Sequence, residues 1–257
     1  MEVDVLVMGT GPAGSSVAEK CAKAGKEVAI VDRLFGGTCA LRGCTPKKAM
    51  ETVTSAYWKA KALEKAGFPL ANKFVDWRKL IANKSRFTSL VPARTKAKFA
   101  EKGIQTLTGN ATFVDEHTIK VGDEKIKAKY VVIATGAAPR PLAFSGAKHL
   151  INNEDFFDLD HLPQKVVITG GGYVGFEFSH ILAACGVEVT ILSNEEMPLG
   201  AFDSDLVVNL VQATLAKGIE VKLGYEVTQI KKLEQGFEII SKRKDDFKVK
   251  ALADLVI

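Results

Sequence analysis

One pattern occurs twice in this chain at a single spacing. Near the N-terminus, "VDVLVMGTGPAG" is an apolar run entering a glycine-rich turn. "SSVAEKCAKAG" follows with helical periodicity to Gly25, and "KEVAIVD" is a second apolar run. The pattern returns in "KVVITGGGYVGFEFSHILAACGVEVTILS". There Gly9, Gly11, Gly14, Gly25, Glu27, Val28 and Ile30 recur as Gly170, Gly172, Gly175, Gly186, Glu188, Val189 and Ile191, each 161 positions on. Seven matches in one register do not arise by chance. Strand, helix and strand in this order form a βαβ unit. The expected fold is therefore α/β, with two Rossmann-like dinucleotide-binding domains on parallel sheets.

Each glycine of G-x-G-x-x-G has a distinct task. The first permits a tight turn, the second lets backbone N–H groups approach a pyrophosphate, and the third lets helix and strand pack closely. The helix N-terminus then faces the anion. Gly9, Gly11 and Gly14 with Asp32 predict one nucleotide site, and Gly170, Gly172 and Gly175 a second. The plain alternative is a pair of α/β turns that bind nothing. Two dinucleotide sites on one chain suggest a bound cofactor and an exchanging cosubstrate, the layout of an electron-transfer flavoprotein. At the end of the second strand the copies differ. Asp32 would hydrogen-bond a free ribose 2′-OH and repel a 2′-phosphate, which suits FAD or NAD. Ser193 holds the matching place in the second copy and tolerates a 2′-phosphate. Asn194, Glu195 and Glu196 follow it, with no arginine to grip one. The lean is weakly to NADPH.

The composition, 47% hydrophobic and 25% charged, is that of a globular chain with core enough for one or two domains. The net charge of +5 is scattered, without a basic block or Arg-aromatic interleaving, so a nucleic-acid partner is not expected. No basic leader precedes the first apolar run, and no run approaches the roughly 18 residues of a membrane span. A cytoplasmic protein is the default expectation, with no membrane partner. In that compartment a close cysteine pair reads as redox-active or metal-binding. Cys39 and Cys44, in "GGTCALRGCTPKK", are such a pair. Structural zinc wants four ligands, and His117, His149, His161 and His180 show no ligand spacing, so no metal site is assigned. Two idle cysteines are a further alternative. A redox disulfide is favoured, since a thiol near a helix N-terminus or a cation is a competent nucleophile and leaving group, and Lys47 and Lys48 supply charge. Cys21 and Cys185 follow the two glycine turns on helices and read as small core residues.

Elsewhere, "AKYVVIATGAAPRP" reads as a strand entering a Gly-Ala turn and a proline-rich crossover. This places a domain boundary near residue 145, with domains at 1–145 and 146–257. Helical stretches are predicted over about Thr45 to Lys65 and Trp77 to Lys102, and small antiparallel strands from Gly109 to Ile133. The closing "ADLVI" is similar to "KYVVI" at Lys129 to Ile133. The first copy continues into Ala134, Thr135 and Gly136, so the chain is expected to be cut inside a buried strand.

"GGTCALRGCTPKK", shortly after "VDVLVMGTGPAG" and "VAIVD", resembles the pyridine nucleotide–disulfide oxidoreductases, the family of glutathione reductase, dihydrolipoamide dehydrogenase and mercuric reductase. The resemblance covers essentially the whole chain. It implies an FAD-dependent NAD(P)H:disulfide oxidoreductase. Electrons would pass from NAD(P)H through flavin to a Cys39–Cys44 disulfide and on to a small-molecule or protein disulfide. Gly9, Gly11, Gly14 and Asp32 would hold the ADP half of FAD. Gly37, Thr38, Ala111, Thr135 and Gly136 would line the same cofactor. Cys44 would be the thiol next to flavin and Cys39 the interchange thiol. Lys47 would approach the flavin and pair with Glu177, and Tyr173 would cover the flavin until nicotinamide displaces it. Gly170, Gly172, Gly175 and Ser193 would serve NAD(P)H.

The chain departs from its relatives in three respects. Glutathione reductases carry Ser at the position of Pro12 and arginines near Asn194, and dihydrolipoamide dehydrogenases carry Glu at the position of Ser193. The family's second flavin segment, its dimerisation domain and its His-Glu acid are expected to be absent. The full-length form would be a homodimer, and this length alone inactive, with weak FAD and a tendency to self-associate. The alternative from another class is a dinucleotide-binding module whose cysteines sense redox state without turnover.

Overall fold

The computed structural model describes residues 1–70 and 72–257. In chain order the elements are β1 (Glu2–Met8), α1 (Pro12–Lys23), β2 (Val28–Asp32), α2 (Gly37–Leu41), α3 (Cys44–Ala62), α4 (Trp77–Thr88), α5 (Val91–Glu101), β3 (Gln105–Thr108), β4 (Ala111–Phe113), β5 (Thr118–Val121), β6 (Glu124–Ile133), α6 (Asn153–Phe157), β7 (Lys165–Thr169), α7 (Tyr173–Ala184), β8 (Glu188–Ser193), α8 (Ser204–Leu215), β9 (Glu220–Leu223), β10 (Glu226–Lys232), β11 (Phe237–Lys242), β12 (Lys248–Ala253) and β13 (Leu255–Val256). The chain divides into two compact units. One holds Met1–Lys47 with Lys84–Pro139, and the other Lys48–Asn83 with Arg140–Ile257.

The first unit is built on a sheet of order β3-β2-β1-β6-β5-β4. β3, β2, β1 and β6 run parallel, and β4 and β5 fold back antiparallel onto the start of β6. β1 is buried on both faces, as a central parallel strand must be. Val5 and Val7 pack with Ala18, Ile30, Phe35 and Phe99 on one side, while Leu6 and Met8 pack with Val31, Ile126 and Ala128 on the other. The second unit repeats the design with β13-β7-β8-β9, all parallel. Val166, Ile168, Val189 and Ile191 pack under α7, where Phe178 stacks on Phe156 at 3.9 Å between ring centroids. The antiparallel sheet β10-β11-β12 shares the opposite core with Val167 and Leu192 through Ile230, Ile239 and Ala253.

Three local expectations are refined. The helical stretch predicted from Trp77 to Lys102 is two helices, α4 and α5, with Pro92 in the first turn of the second. A proline there has no N–H to lose from the ladder, and its ring would clash with a preceding helical turn. The first predicted stretch ends at Ala62, and a 3₁₀ turn, Glu64–Ala66, follows. Finally, Leu255 pairs with Val166 as Tyr130 pairs with Val5. Leu255 therefore corresponds to Tyr130, whereas matching "ADLVI" to "KYVVI" would set it on Val131. A slip of one residue reverses every side chain's face, so the pairing decides the alignment.

Candidate functional site

The first glycine turn leaves β1 at Gly9, whose φ of +107° excludes most side chains. A Cβ at Gly9 would fall 2.2 Å from the Ala134 carbonyl oxygen, and one at Gly14 1.9 Å from the Gly9 carbonyl oxygen. Both glycines are held by backbone packing. Gly11 differs, because a Cβ there would meet nothing within 4 Å. It faces open space as the N-cap of α1, where no side chain caps the helix and no acid stands in the first turn. An uncapped helix start beside an open glycine is the cradle a pyrophosphate needs, and the residues present fit the ADP half of FAD. At the end of β2, Asp32 accepts from the Thr10 N–H and the Thr10 hydroxyl through Oδ2 and from the Leu34 N–H through Oδ1. A carboxylate has about four lone-pair sites, so one remains for a ribose hydroxyl.

The cysteine segment begins against this turn. Gly36 has φ +130°, and Gly37, at φ +71°, lies so near Gly11 that a Cβ would fall 2.5 Å from the Gly11 Cα. α2 carries Thr38 and Cys39, and Cys44 opens α3. Thr38 and both cysteines are exposed thiol or hydroxyl groups. The Lys47 N–H donates to the Gly43 carbonyl in the first turn of α3, and Pro46 is buried there. Ala111 is half-buried on β4. Thr135 and Gly136, the latter at φ +76°, are exposed just past β6. All of these residues lie in the first unit.

In the second unit Gly170 has φ +115°, and neither it nor Gly172 has an atom within 4 Å of a Cβ position. Gly175 lies under Gly170, where a Cβ would fall 2.9 Å from the Gly170 carbonyl oxygen. α7 starts at Tyr173, which is 62% exposed, and carries Glu177, half-buried, one turn on. Ser193 is 1% exposed, and its hydroxyl accepts from the Glu195 N–H at 3.2 Å. It packs beneath Gly171, where a Cβ would come within 2.6 Å of the Ser193 Oγ. The sequence reading missed Gly171, a further glycine of this turn that packing constrains, because its neighbour Ser193 is 22 residues away. It also missed Lys244, whose ammonium lies 3.1 Å from the Glu196 carboxylate at the end of β8. Thr10 is the third residue it overlooked.

Two other features do not belong to this chemistry. A groove of about 460 Å³ lies along α1, lined by Ser16, Glu19, Lys20, Ala22, Lys23 and Lys102. It is an exposed ion-pair surface in which hydrogen bonds from Lys102 and then Lys98 hold the Glu19 carboxyl below its ordinary range. Among the described residues no group of three or more His, Cys, Asp or Glu is placed to hold a metal ion, and no helix is long and apolar enough to cross a membrane.

The profile of the pyridine nucleotide-disulphide oxidoreductase family matches residues 3–256. The chain belongs to this family. It is 31% identical over 242 residues to a glutathione reductase of Nostoc sp., covering 93% of this chain and 52% of that protein. It is 30% identical over 240 residues to a dihydrolipoyl dehydrogenase of Mycoplasma pneumoniae, covering 89% and 52%. Among solved structures, the HOCl-induced flavoprotein disulfide reductase RclA from Escherichia coli superposes with a TM-score of 0.84 at 24% identity, over 98% of this chain and 55% of that one. The chain thus spans about half the length of the curated relatives it matches, and its α/β fold is that of the flavoprotein disulfide reductases.

Proposed function

We propose that the chain provides the flavin-binding turn, the redox cysteines and the nucleotide-binding turn of an FAD-dependent NAD(P)H:disulfide oxidoreductase acting in the cytoplasm, the full-length form being a homodimer. The observation that carries this reading is the packing of Gly37 on Gly11. It sets an exposed dithiol segment directly against a turn shaped for a pyrophosphate. The first unit is assigned to FAD and the second to NAD(P)H. FAD, when bound, supplies the two-electron chemistry by which NAD(P)H returns the cysteines to the dithiol.

The chain's own residues do the rest. The uncapped N–H groups after Gly11 bind phosphate oxygens, and Asp32 holds a ribose hydroxyl. The Cys39 thiolate attacks one sulfur of the substrate disulfide, forming a mixed disulfide and releasing one substrate thiolate. The Cys44 thiolate then attacks the Cys39 sulfur, releasing the second, so that the substrate gains two electrons and the pair becomes a disulfide. Lys47 and Glu177 are assigned to positioning charge near the flavin, and Tyr173 to covering the nicotinamide entry. Thr38, Ala111, Thr135 and Gly136 are assigned to the flavin. In the second unit Ser193 carries no charge to repel a 2′-phosphate, which supports the lean to NADPH.

The test reduces the chain, removes the reductant and mixes it with an aromatic disulfide. Two thiolates per chain are expected from the native pair, and one, with a mixed disulfide left on Cys39, from Cys44→Ser. In the full-length form, NADPH with FAD is expected to restore the dithiol. A full-length form that binds no FAD, or whose oxidised pair NAD(P)H leaves unreduced, would overturn the reading.

A further inference from the structure

One side chain ties the first glycine turn to the cysteine segment. Thr10 is 2% exposed. Its N–H and its hydroxyl both donate to Asp32 Oδ2 at 2.7 Å, and the hydroxyl oxygen accepts from the Gly36 N–H at 2.9 Å. Gly36 is the N-cap of α2, the helix that carries Cys39. Beside it, Gly37 rests on Gly11. The carboxylate that would meet a ribose and the backbone that positions Cys39 therefore share one buried hydroxyl, with both its donor and its acceptor in use. Close-packed interiors transmit displacement, and a hydrogen-bonded chain of this kind leaves little slack. Closing a disulfide between Cys39 on α2 and Cys44 on α3 must adjust α2, and α2 begins at Gly36 and Gly37.

We propose that Thr10 is a positioning residue coupling the first nucleotide turn to the cysteine pair. Binding of an adenosine diphosphate moiety and the dithiol–disulfide state of Cys39 and Cys44 then share one coupling free energy. This rests on the reading of the first turn as a nucleotide site and of the cysteines as a redox pair. Linkage makes the effect reciprocal: if oxidation changes ADP affinity by some factor, ADP shifts the dithiol–disulfide equilibrium by the same factor.

The probe is ADP, titrated calorimetrically into the whole chain. One sample holds the dithiol. The other is oxidised by excess glutathione disulfide, which takes up the two electrons and two protons and leaves as two glutathione thiols, and mass spectrometry confirms the Cys39–Cys44 bond. In the native chain and in Thr10→Ser, which keeps the hydroxyl, the two affinities are expected to differ about fivefold or more, the lower end of ordinary coupling. In Thr10→Val, which keeps the shape and loses the hydroxyl, they are expected to agree within about twofold. Equal affinities in the native chain, or a native ratio in Thr10→Val, overturn the proposal. Should Thr10→Val not fold, hydrogen exchange at the Gly36 amide of the native chain decides. ADP slows that exchange if the coupling exists, and unchanged exchange rules it out. A native chain that binds no ADP in either state, or whose pair does not oxidise, removes the proposed function and this inference with it.

Discussion

A methyl group added at Gly14 would lie 1.9 Å from the Gly9 carbonyl oxygen, and one at Gly9 2.2 Å from that of Ala134, while one at Gly11 meets nothing. The same substitution should therefore give opposite results at neighbouring positions. Gly9→Ala and Gly14→Ala are expected to destabilise the fold by about 2 kcal/mol or more, through overpacking and, at Gly9, an unfavourable φ. Gly11→Ala should stay within about 1 kcal/mol of native and yet lose ADP at the first turn, because its methyl fills the cradle. Urea unfolding and ADP titration of the three variants check this, and a Gly11→Ala chain with native ADP affinity would show that the open face is not the site. The cysteines divide in a similar way. Burial first, and Asp76 second, pushes the Cys185 thiol up to about 12. With iodoacetamide at pH 8, Cys39 and Cys44 should be alkylated while Cys185 waits for denaturant, as peptide mapping would report. The glycine roles were legible in the sequence because the three stand at a fixed spacing between an apolar strand and a helix. Thr10 was not, because its partners at Asp32 and Gly36 lie 22 and 26 positions off.

At the scale of elements, the glycine-turn helices and their strands were readable because their starts and stops are written in Gly and Pro. The division of the Trp77–Lys102 stretch was written there too, in Pro92, but the amphipathic period runs across the break and masks it. The register of β13 was beyond sequence, since "ADLVI" matches "KYVVI" more closely one place away from the paired position. At the end of β8 the packing sharpens a question of specificity. Ser193 accepts from the Glu195 N–H as Asp32 accepts from the Leu34 N–H, both at 3.2 Å and at equivalent positions. Ser193→Asp should reproduce the first turn's carboxylate and move preference toward NADH by about 1–3 kcal/mol, the scale of a hydrogen bond to a charged group. Unchanged NADH and NADPH dissociation constants would sink this. The α7–α8 contact carries a pH dependence. Burial first, and the Lys217 charge second, pushes His180 down to about 4 from an ordinary 6.5. Thr214 donates its hydroxyl hydrogen to the Leu210 carbonyl, so the neutral His180 Nε2 is the donor in its 2.8 Å bond to Thr214. The unfolded chain takes up a proton first as pH falls. The stabilisation is therefore complete above pH 6.5 and is lost between 6.5 and about 4, to the extent of about 3 kcal/mol. Urea midpoints at pH 7 and pH 4 should show His180→Gln losing less over this range than the native chain.

For the whole molecule, the repeat extends below the level of sequence. The Gly9 N–H donates to Val31 and the Gly170 N–H to Leu192; the Lys26 N–H donates to Cys21 and the Val187 N–H to Leu182. These pairs keep the spacing of the glycines, so the two units share a hydrogen-bond plan as well as a motif. They diverge where their partners differ. In the first unit Thr10 follows the first glycine and bonds Asp32, while in the second Gly171 holds that place and is crowded by Ser193 and Pro198. The common part, an uncapped helix start behind an open glycine, is the part assigned to a pyrophosphate under the proposed function, and it occurs at Gly11 and again at Gly172. Two molecules of ADP should therefore bind each chain. Gly11→Ala should remove one and leave the other, Gly172→Ala should do the reverse, and the double variant should bind none, with each single variant folded as well as the native chain. Calorimetric stoichiometry reads this directly. A single site abolished by Gly11→Ala alone would confine pyrophosphate recognition to the first unit, and the second copy would then be a turn retained for packing.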